Sequence, residues 1–213
     1  MKKYIAELIG TFGLVFCGTG AIIINDVTDG SVSHVGIAIT FGLIVAAMIY
    51  AFGSISGAHI NPAVTIAFSL TDRFKRKDLI GYIVFQLIGS FLASGVLRFL
   101  FRDHDNLGAT FPYDGWSQTF VLEIILTYFL MLVIIFVSQD KAVSKFTGIA
   151  VGGVVLLEAM FAGPITGASM NPARSIAPAI VSGHISELWI YIAAPIIGAV
   201  LASMTWLFIG NKN

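Results

Sequence analysis

The sequence predicts an all-α membrane protein in which six transmembrane helices and two re-entrant half-helices form two inverted repeats. Three observations predict this fold class. The 213 residues are 57% hydrophobic and only 11% charged, which is far more apolar than a soluble domain. Six stretches are long and apolar enough to cross a bilayer. The phrase GAHINPAVT at 57–65 also recurs as GASMNPARS at 167–175.

The six spans follow from the length of the apolar runs. A helix needs roughly 20 apolar residues to cross a hydrocarbon core about 30 Å thick. The sequence predicts helices over 5–24, 34–52, 79–101, 116–137, 146–162 and 188–208. The run LMLVIIFV at 130–137 is apolar on every side, which excludes a barrel of alternating strands. The first apolar run is long and lacks a small-residue cleavage site, so we interpret it as a retained helix.

Lysine and arginine are distributed unevenly between the two sides that six alternating helices define. Only Arg98 and Arg102 fall on one side, whereas nine basic residues fall on the other: Lys2, Lys3, Arg73, Lys75, Arg76, Lys77, Lys141, Lys145 and Lys212. The positive-inside rule predicts that both termini are cytoplasmic, in a plasma (cell inner) membrane. The basic loop at 73–77 is explained as a topology determinant, and nothing indicates a nucleic-acid partner.

The chain contains an internal repeat. Residues 53–63, GSISGAHINPA, match residues 163–173, GPITGASMNPA, at seven of eleven positions, and the pair Glu7 and Thr11 recurs as Glu123 and Thr127. Each half carries three spans, an odd number, so the second half enters the membrane from the opposite side. We expect one domain over 1–213 with inverted halves 1–105 and 112–213. Functional sites in such proteins lie near the midplane, where the halves meet.

The repeated motifs have the local chemistry of helix starts. Each Asn-Pro-Ala sequence precedes an apolar stretch too short to span the bilayer. Asn is a favoured N-cap, and Pro suits the first helical position. Asn61 and Asn171 should therefore each cap a half-helix whose N-terminus carries about half a positive charge at the midplane. The preceding residues, GAHI and GASM, should be extended with carbonyls available to a permeant, because irregular backbone at this depth must be buried or line a cavity.

Three glutamates fall within the predicted spans, where an isolated carboxylate is costly unless it is partnered or functional. Glu7 and Glu123 occupy matching places, so we expect each to accept hydrogen bonds from N–H groups of a re-entrant loop, with proton relay as the alternative. Glu158 has no acidic mate, because Ala46 occupies the equivalent position. We interpret Glu158 as another loop-bracing group, with a polar pore feature as the alternative.

These motifs carry a family resemblance. The paired boxes, with an arginine directly after the second and the two matched glutamates, make the chain resemble the major intrinsic proteins, the aquaporin and aquaglyceroporin family, over its whole length. The residues concerned are Asn61, Pro62, Ala63, Asn171, Pro172, Ala173, Arg174, Glu7 and Glu123. The stretch GPITGASMNPARS looks most like bacterial and plant nodulin-type members. The resemblance implies the aquaporin fold and a homotetramer in membrane lipid, with a channel for water or small neutral solutes in each protomer that excludes ions and protons.

The same resemblance assigns the pore residues. Arg174 lines an external constriction, where its guanidinium repels cations and donates hydrogen bonds to the permeant. Val64, its repeat mate, faces the other mouth, and both motif asparagines donate to the permeant at the centre. His59 lines the cytoplasmic side, where Ser54 replaces a histidine that many members carry. No cofactor or metal site is implied, since no metal-ligating cluster is present to recruit His59.

Aligning the motifs without gaps places Phe41, Ala159 and Ala168 beside Arg174 in the constriction. Water-selective members usually place a histidine at the position of Ala159. Two alanines should leave a wider, less polar opening that admits glycerol, urea or an undissociated metalloid hydroxide. A strict water channel is the alternative, since Ser175 stands where glycerol facilitators carry an aspartate after the arginine.

Two other classes are less well supported by the residues. An inverted-repeat secondary transporter would place ionisable coupling residues at its substrate site, and the central acids look like braces instead. An intramembrane hydrolase would have to use Ser56, Ser169, His59 and the acids of the spans as its active site. No nucleophile motif with an oriented base is visible, however, so we expect no enzymatic activity.

Overall fold

Eight α-helices make up the fold in a computed structural model that describes residues 1–71 and 73–210. Lys212, counted above among the cytoplasmic charges, lies outside the described residues. The helices are α1 Lys2–Val27, α2 Ser33–Ser56, α3 Pro62–Ser69, α4 Leu79–Leu100, α5 Trp116–Gln139, α6 Thr147–Thr166, α7 Pro172–Ser182 and α8 Ile190–Ile209. Six of them are long and apolar enough to cross a membrane. The six predicted spans are confirmed, and α3 and α7 are the two short helices.

Helices α2 and α6 end beyond the apolar runs that predicted them. Helix α2 continues to Ser56 rather than 52, and α6 continues to Thr166 rather than 162. Both end at a glycine in the left-handed conformation, Gly57 with φ 88° and Gly167 with φ 81°. Glycine adopts this C-terminal geometry without the steric cost of a Cβ. The glycine of the repeated motif therefore determines where these two helices end, and the end of the apolar run does not.

Helices α2 and α6 bring the two halves together at a pair of glycines. A Cβ atom added to Gly42 would lie 2.6 Å from the carbonyl oxygen of Gly152. The two backbones therefore touch at this crossing, as small residues allow in membrane helix packing. This contact fixes the distance between the halves on one side of the molecule.

Within each half, a glycine at the matching repeat position packs against the first helix. A Cβ on Gly89 of α4 would lie 3.0 Å from the carbonyl carbon of Leu8 in α1, and a Cβ on Gly198 of α8 would lie 3.1 Å from that of Ile124 in α5. The internal packing of the first half is thus repeated in the second. Towards the lateral surface the long helices expose large apolar side chains, including Leu43, Phe99, Leu157 and Phe161.

The half-helices cross between the repeats. Helix α3 of the first half packs on α8 of the second, and α7 packs on α4 and α1 of the first. The two short helices also contact each other. Their N-terminal ends therefore lie in the interior, beside the cavity described next.

Candidate permeation pore

A cavity passes the N-terminal ends of both half-helices. It comprises about 810 Å³ of atom-free space, including open solvent. Its walls are mostly apolar side chains of α1, α2, α5 and α6, and the two re-entrant loops complete them. Eight of the residues singled out by the sequence line it together: Phe41, His59, Asn61, Val64, Ala159, Ala168, Asn171 and Arg174. The other motif residues, Pro62, Ala63, Pro172 and Ala173, are buried in the first turns of α3 and α7.

Both motif asparagines cap their half-helices. The Asn61 side-chain oxygen accepts a hydrogen bond from the N–H of Ala63 at 2.9 Å. The Asn171 side-chain oxygen accepts from Ala173 at 3.0 Å and from Arg174 at 3.4 Å. Capping with the side-chain oxygen turns each amide nitrogen away from its own helix. Two Asn N–H donor groups are therefore presented at the centre of the protein.

The amide nitrogens tie the two halves together. Asn61 Nδ2 donates to the carbonyl oxygen of Met170 at 2.8 Å, and Asn171 Nδ2 donates to that of Ile60 at 2.9 Å. The sequence predicted that these carbonyls and amides would be available to a permeant. One N–H of each amide is instead used by the opposite loop, and because an Asn amide has two N–H groups, the second remains available.

Two buried carboxylates hold the re-entrant loops. Glu7 accepts from the backbone N–H groups of His59 at 2.9 Å and Ile60 at 2.7 Å. Glu123 accepts from those of Ser169 at 2.8 Å and Met170 at 2.9 Å. Neither carboxylate has any solvent exposure. The pairing satisfies N–H groups that the irregular loops would otherwise leave unbonded, and such unbonded groups are costly at membrane depth.

Each brace also has a side-chain partner that sequence reasoning missed. Gln86 Nε2 donates to Glu7 at 2.7 Å, and the Thr166 hydroxyl donates to Glu123 at 2.7 Å. Gln86 could have been found from the sequence, because it is an uncharged polar residue within an apolar span and such a residue needs a buried partner. Thr166 gave no comparable signal, because it lies beside the glycine that ends α6.

The interpretation of Glu158 as a loop brace is wrong. Its Oε2 atom is buried and has no hydrogen-bond partner in the described part of the chain. The loop N–H groups that a second brace could have bound, those of Ser169 and Met170, are already bound by Glu123. Glu158 is also absent from the residues that line the cavity.

Arg174 lies at one end of the cavity, held by two contacts. Its Nη1 donates to the carbonyl oxygen of Gly108 at 2.7 Å, and its Cζ lies 5.1 Å from the centroid of the Phe41 ring. The ring in turn occupies space that Gly18 leaves open, because a Cβ there would lie 2.6 Å from the Phe41 Cδ1 atom. Sequence reasoning missed both Gly18 and Gly108. The side chain of Arg174 is only 2% exposed, so the protein fixes its direction.

The wall around Arg174 is apolar and made of small groups. Ala159 and Ala168 contribute single methyl groups to the lining of the cavity that Phe41 and Arg174 also line. Among these four residues of the described lining, only Arg174 has side-chain donors, while Phe41, Ala159 and Ala168 offer hydrocarbon.

The opposite end of the cavity is bordered by aromatic groups around His59. Its ring centroid lies 4.9 Å from that of Phe68, 5.0 Å from Phe74 and 5.1 Å from Tyr82. His59 Nδ1 is 3.2 Å from the Thr65 hydroxyl. No group of three or more metal-ligating side chains occurs in residues 1–71 and 73–210. The His59 ring lines the cavity at this end.

The two serines considered for an enzyme site form hydrogen bonds with the backbone of the re-entrant loops. Ser56 Oγ accepts from the N–H of Ala58 at 3.0 Å, and Ser169 Oγ donates to the carbonyl of Asn171 at 3.1 Å. Ser56 thus shapes the re-entrant loop that follows α2, and Ser169 shapes the loop between α6 and α7 in which it lies.

Six spans, two interior half-helices and a cavity along their N-termini define a membrane channel. Residues 1–206 match the family described as Major intrinsic protein, and the chain belongs to that family. It is 45% identical over 215 residues to Aquaporin NIP1-1 of Zea mays, covering 100% of this chain and 76% of that protein. It is 46% identical over 210 residues to Nodulin-26 of Glycine max, covering 98% and 77%.

A solved structure shares the fold. The aquaglyceroporin from Plasmodium falciparum superposes with a TM-score of 0.89 and 26% identity, covering 99% of this chain and 96% of that one. Proteins of the family are channels, so the chain is an aquaporin-family channel and neither an enzyme nor a coupled transporter. The family resemblance read from the paired motifs is confirmed.

Proposed function

We propose that this channel conducts water and small neutral solutes such as glycerol, urea or a metalloid hydroxide, and that Phe41, Ala159, Ala168 and Arg174 form its selectivity filter. One observation carries the proposal: two alanine methyl groups line the cavity beside the fixed guanidinium of Arg174. An imidazole in place of either methyl would fill space and add a polar contact. Without it the opening is wide enough for a solute larger than water.

The lining chemistry also supports a neutral solute with hydroxyl or amide groups. Arg174 has donors for the polar side of such a solute, and Nη1 alone is used by Gly108. Phe41 and the alanines contact its hydrocarbon side. The solved neighbour that shares the fold is itself described as an aquaglyceroporin, which supports glycerol as the first solute to test.

Ion exclusion follows from the charges along the same path. The half-helix N-termini carry partial positive charge, and the Asn61 and Asn171 amides present donors between them. Arg174 adds a full positive charge at one end. Cations therefore meet a positive barrier without ligands to replace their water shell, which is a known basis of selectivity in narrow pores.

The domain organisation, the number of associated copies and the orientation in the membrane are part of the same proposal. Residues 1–213 act as one channel domain with inverted halves 1–105 and 112–213, and four copies associate in the lipid through their apolar outer faces. The excess of lysine and arginine on one side supports a cytoplasmic position for both termini, in a plasma (cell inner) membrane. Glu7 and Glu123 hold the loops, and Val64 and His59 line the cytoplasmic side.

A strict water channel is the second candidate, and Ser175 favours it. This residue is buried, and its hydroxyl lies 2.9 Å from that of Thr110 and 2.6 Å from that of Ser169. The position thus carries a neutral hydroxyl network in place of the acid that glycerol facilitators have there.

Uptake measurements on proteoliposomes separate these candidates from each other. Entry of radiolabelled glycerol and urea should rise linearly with concentration and should not depend on an ion gradient, because an open pore has no saturable carrier step. A pH-sensitive dye inside the vesicles should report no proton leak. Fast water flow without uptake of either solute would favour the strict water channel, and proton leak would contradict ion exclusion.

A further inference from the structure

Helix α6 contains a proline between the two alanines of the constriction. Pro164 lies between Ala159 and Ala168 in the sequence and inside the helix. Because proline has no N–H group, it cannot donate the helical hydrogen bond to the carbonyl oxygen of Met160, four residues earlier. The last turn of α6 therefore lacks one bond to the turn before it, directly after the residue that lines the cavity.

His34 of α2 supplies the missing donor. Its Nε2 lies 2.5 Å from the carbonyl oxygen of Met160. Because a carbonyl oxygen can only accept, this nitrogen carries a proton. Gly163 leaves room for the ring, since a Cβ added there would lie 3.0 Å from the His34 Cε1 atom. Gly163 and Pro164 thus provide the space and the free acceptor that the imidazole of the other helix uses.

Other contacts hold α2 against α6 further along the same pair of helices. A Cβ added to Gly42 would lie 2.6 Å from the Gly152 carbonyl oxygen, so the backbones touch there. The Tyr50 hydroxyl accepts from the N–H of Ile149 at 3.3 Å. Tyr50 is near the end of α2 and Ile149 near the start of α6, so the helices are antiparallel. His34, near the start of α2, therefore contacts α6 at the opposite end of the pair.

The two walls of the constriction lie between these contacts. Phe41 is next to Gly42 and about 10 Å along α2 from His34, at 1.5 Å per residue. Ala159 directly precedes Met160. Phe41 and Ala159 also belong to one buried apolar cluster. The separation of the two walls is thus held on one side by the glycine contact and on the other by the His34 bond.

We propose that His34 is a positioning residue for the selectivity filter, because it holds the turn of α6 that Pro164 leaves without its helical bond. A water molecule can bond to the same carbonyl of Met160, but it cannot connect α6 to α2. Loss of the His34 donor therefore loosens the separation of Phe41 and Ala159, and the constriction admits larger solutes. The inference rests on the proposed function for the identity of the filter.

The test compares two polyols of different size, glycerol and erythritol, by light scattering on proteoliposomes. His34→Leu removes the donor and should raise the ratio of erythritol to glycerol permeability by about fivefold, the population change expected for loss of one ordinary hydrogen bond. His34→Gln should keep the wild-type ratio, because its amide N–H can replace Nε2 as the donor. An unchanged ratio in His34→Leu, or an equal rise in His34→Gln, would overturn the proposal.

Pro164 allows an independent test of the bond. Pro164→Ala restores a backbone N–H that can donate to Met160, so the last turn of α6 is held by its own helix. His34→Leu added to Pro164→Ala should therefore leave the permeability ratio unchanged. An equal rise in both backgrounds would contradict the proposal, because His34 would then act through something other than the carbonyl that the proline leaves free.

Two glycines of α6 give a matched pair of variants that leave His34 in place. Gly163→Ala places a methyl group against the imidazole and should reproduce the rise seen in His34→Leu. A Cβ added to Gly153 would meet none of the described residues within 4 Å, so Gly153→Ala should keep the wild-type ratio. Equal ratios in the two alanine variants would count against the proposed position of the ring.

Water permeability separates a failure of this proposal from a failure of the proposed solute. Absence of protein-dependent entry of both polyols in the wild type would contradict the proposed solute class. His34 is then tested on water flow through the same constriction, where His34→Leu should change the permeability in the parent and leave it unchanged in Pro164→Ala. No change in either background would overturn the positioning role.

Discussion

The guanidinium of Arg174 lies over the ring of Phe41, with Cζ 5.1 Å from the ring centroid. A cation–π contact of this kind is worth about 2 kcal/mol when it is desolvated. Together with the bond to Gly108, it holds the only charged side chain among the described cavity-lining residues against one wall. Ala159 and Ala168 line the same cavity. The size of these two side chains is the first property to test.

Replacing Ala159 with histidine should suppress glycerol flux by about tenfold or more, which corresponds to a barrier increase of about 1.4 kcal/mol, while water flow is retained. The imidazole would occupy the space opposite Phe41 and add a donor for water. Stopped-flow light scattering measures both fluxes on one preparation. Ala159→Val separates size from polarity, because it fills space without adding a donor. Unchanged glycerol flux in Ala159→His would show that this position does not set the limiting radius.

Arg174→Val should raise the leak of small cations and of larger neutral solutes, because it removes the positive charge and widens the constriction. Arg174→Lys is the matched variant, since it keeps the charge and loses the planar fork that pairs with Gly108. It should still exclude cations. Vesicle conductance and solute uptake test both variants, and a valine pore as selective as the parent would remove Arg174 from the filter.

Glu123→Gln should destabilise the protein strongly. One carboxylate oxygen becomes an NH₂ group that faces loop N–H donors, and each lost charge-assisted bond costs about 1.5–3 kcal/mol. The fitting control is Glu158→Gln, because Glu158 Oε2 has no hydrogen-bond partner in the described residues. Thermal unfolding in detergent should show a large decrease in Tm for Glu123→Gln and a small change for Glu158→Gln. Equal decreases would show that loop bracing is not what makes Glu123 important.

Gly108→Ala should lower both stability and solute flux. A Cβ there would lie 3.0 Å from the Thr19 Cβ and 3.1 Å from its carbonyl oxygen, at a φ of +69°. Gly30 shares the positive φ, +95°, but a Cβ added to it would meet none of the described residues within 4 Å. Gly30→Ala therefore carries the backbone strain, about 1 kcal/mol, without the collision. Flux lowered only in Gly108→Ala would tie the effect to the carbonyl that holds Arg174, and equal effects would assign it to backbone strain alone.

The sequence predicted the parts of the fold that local signals encode. Apolar length gave the six spans, and Asn-Pro gave the starts of α3 and α7, because capping and the proline ring act within a few residues. The reciprocal bonds from Asn61 to Met170 and from Asn171 to Ile60 were missed. They join residues more than 100 positions apart, and no periodicity reports such a contact.

The same limit explains the errors near the constriction. Gly108 reaches Arg174 from a polar connection between α4 and α5 that has no apolar pattern and no repeat mate. Glu158 was interpreted by analogy with Glu7 and Glu123. The sequence does not show which loop N–H groups those two acids bind. Once Glu123 is seen to bind the N–H groups of Ser169 and Met170, that loop leaves no such donors for Glu158.

The most direct test of the wide constriction compares two osmotic gradients on the same proteoliposomes by light scattering. An impermeant sugar reports water permeability, and glycerol reports both water and solute. A wide constriction should give fast shrinkage in both gradients, followed in glycerol by reswelling that depends on the protein. Fast shrinkage without reswelling would contradict it, because the two alanines would then not open the filter to anything larger than water.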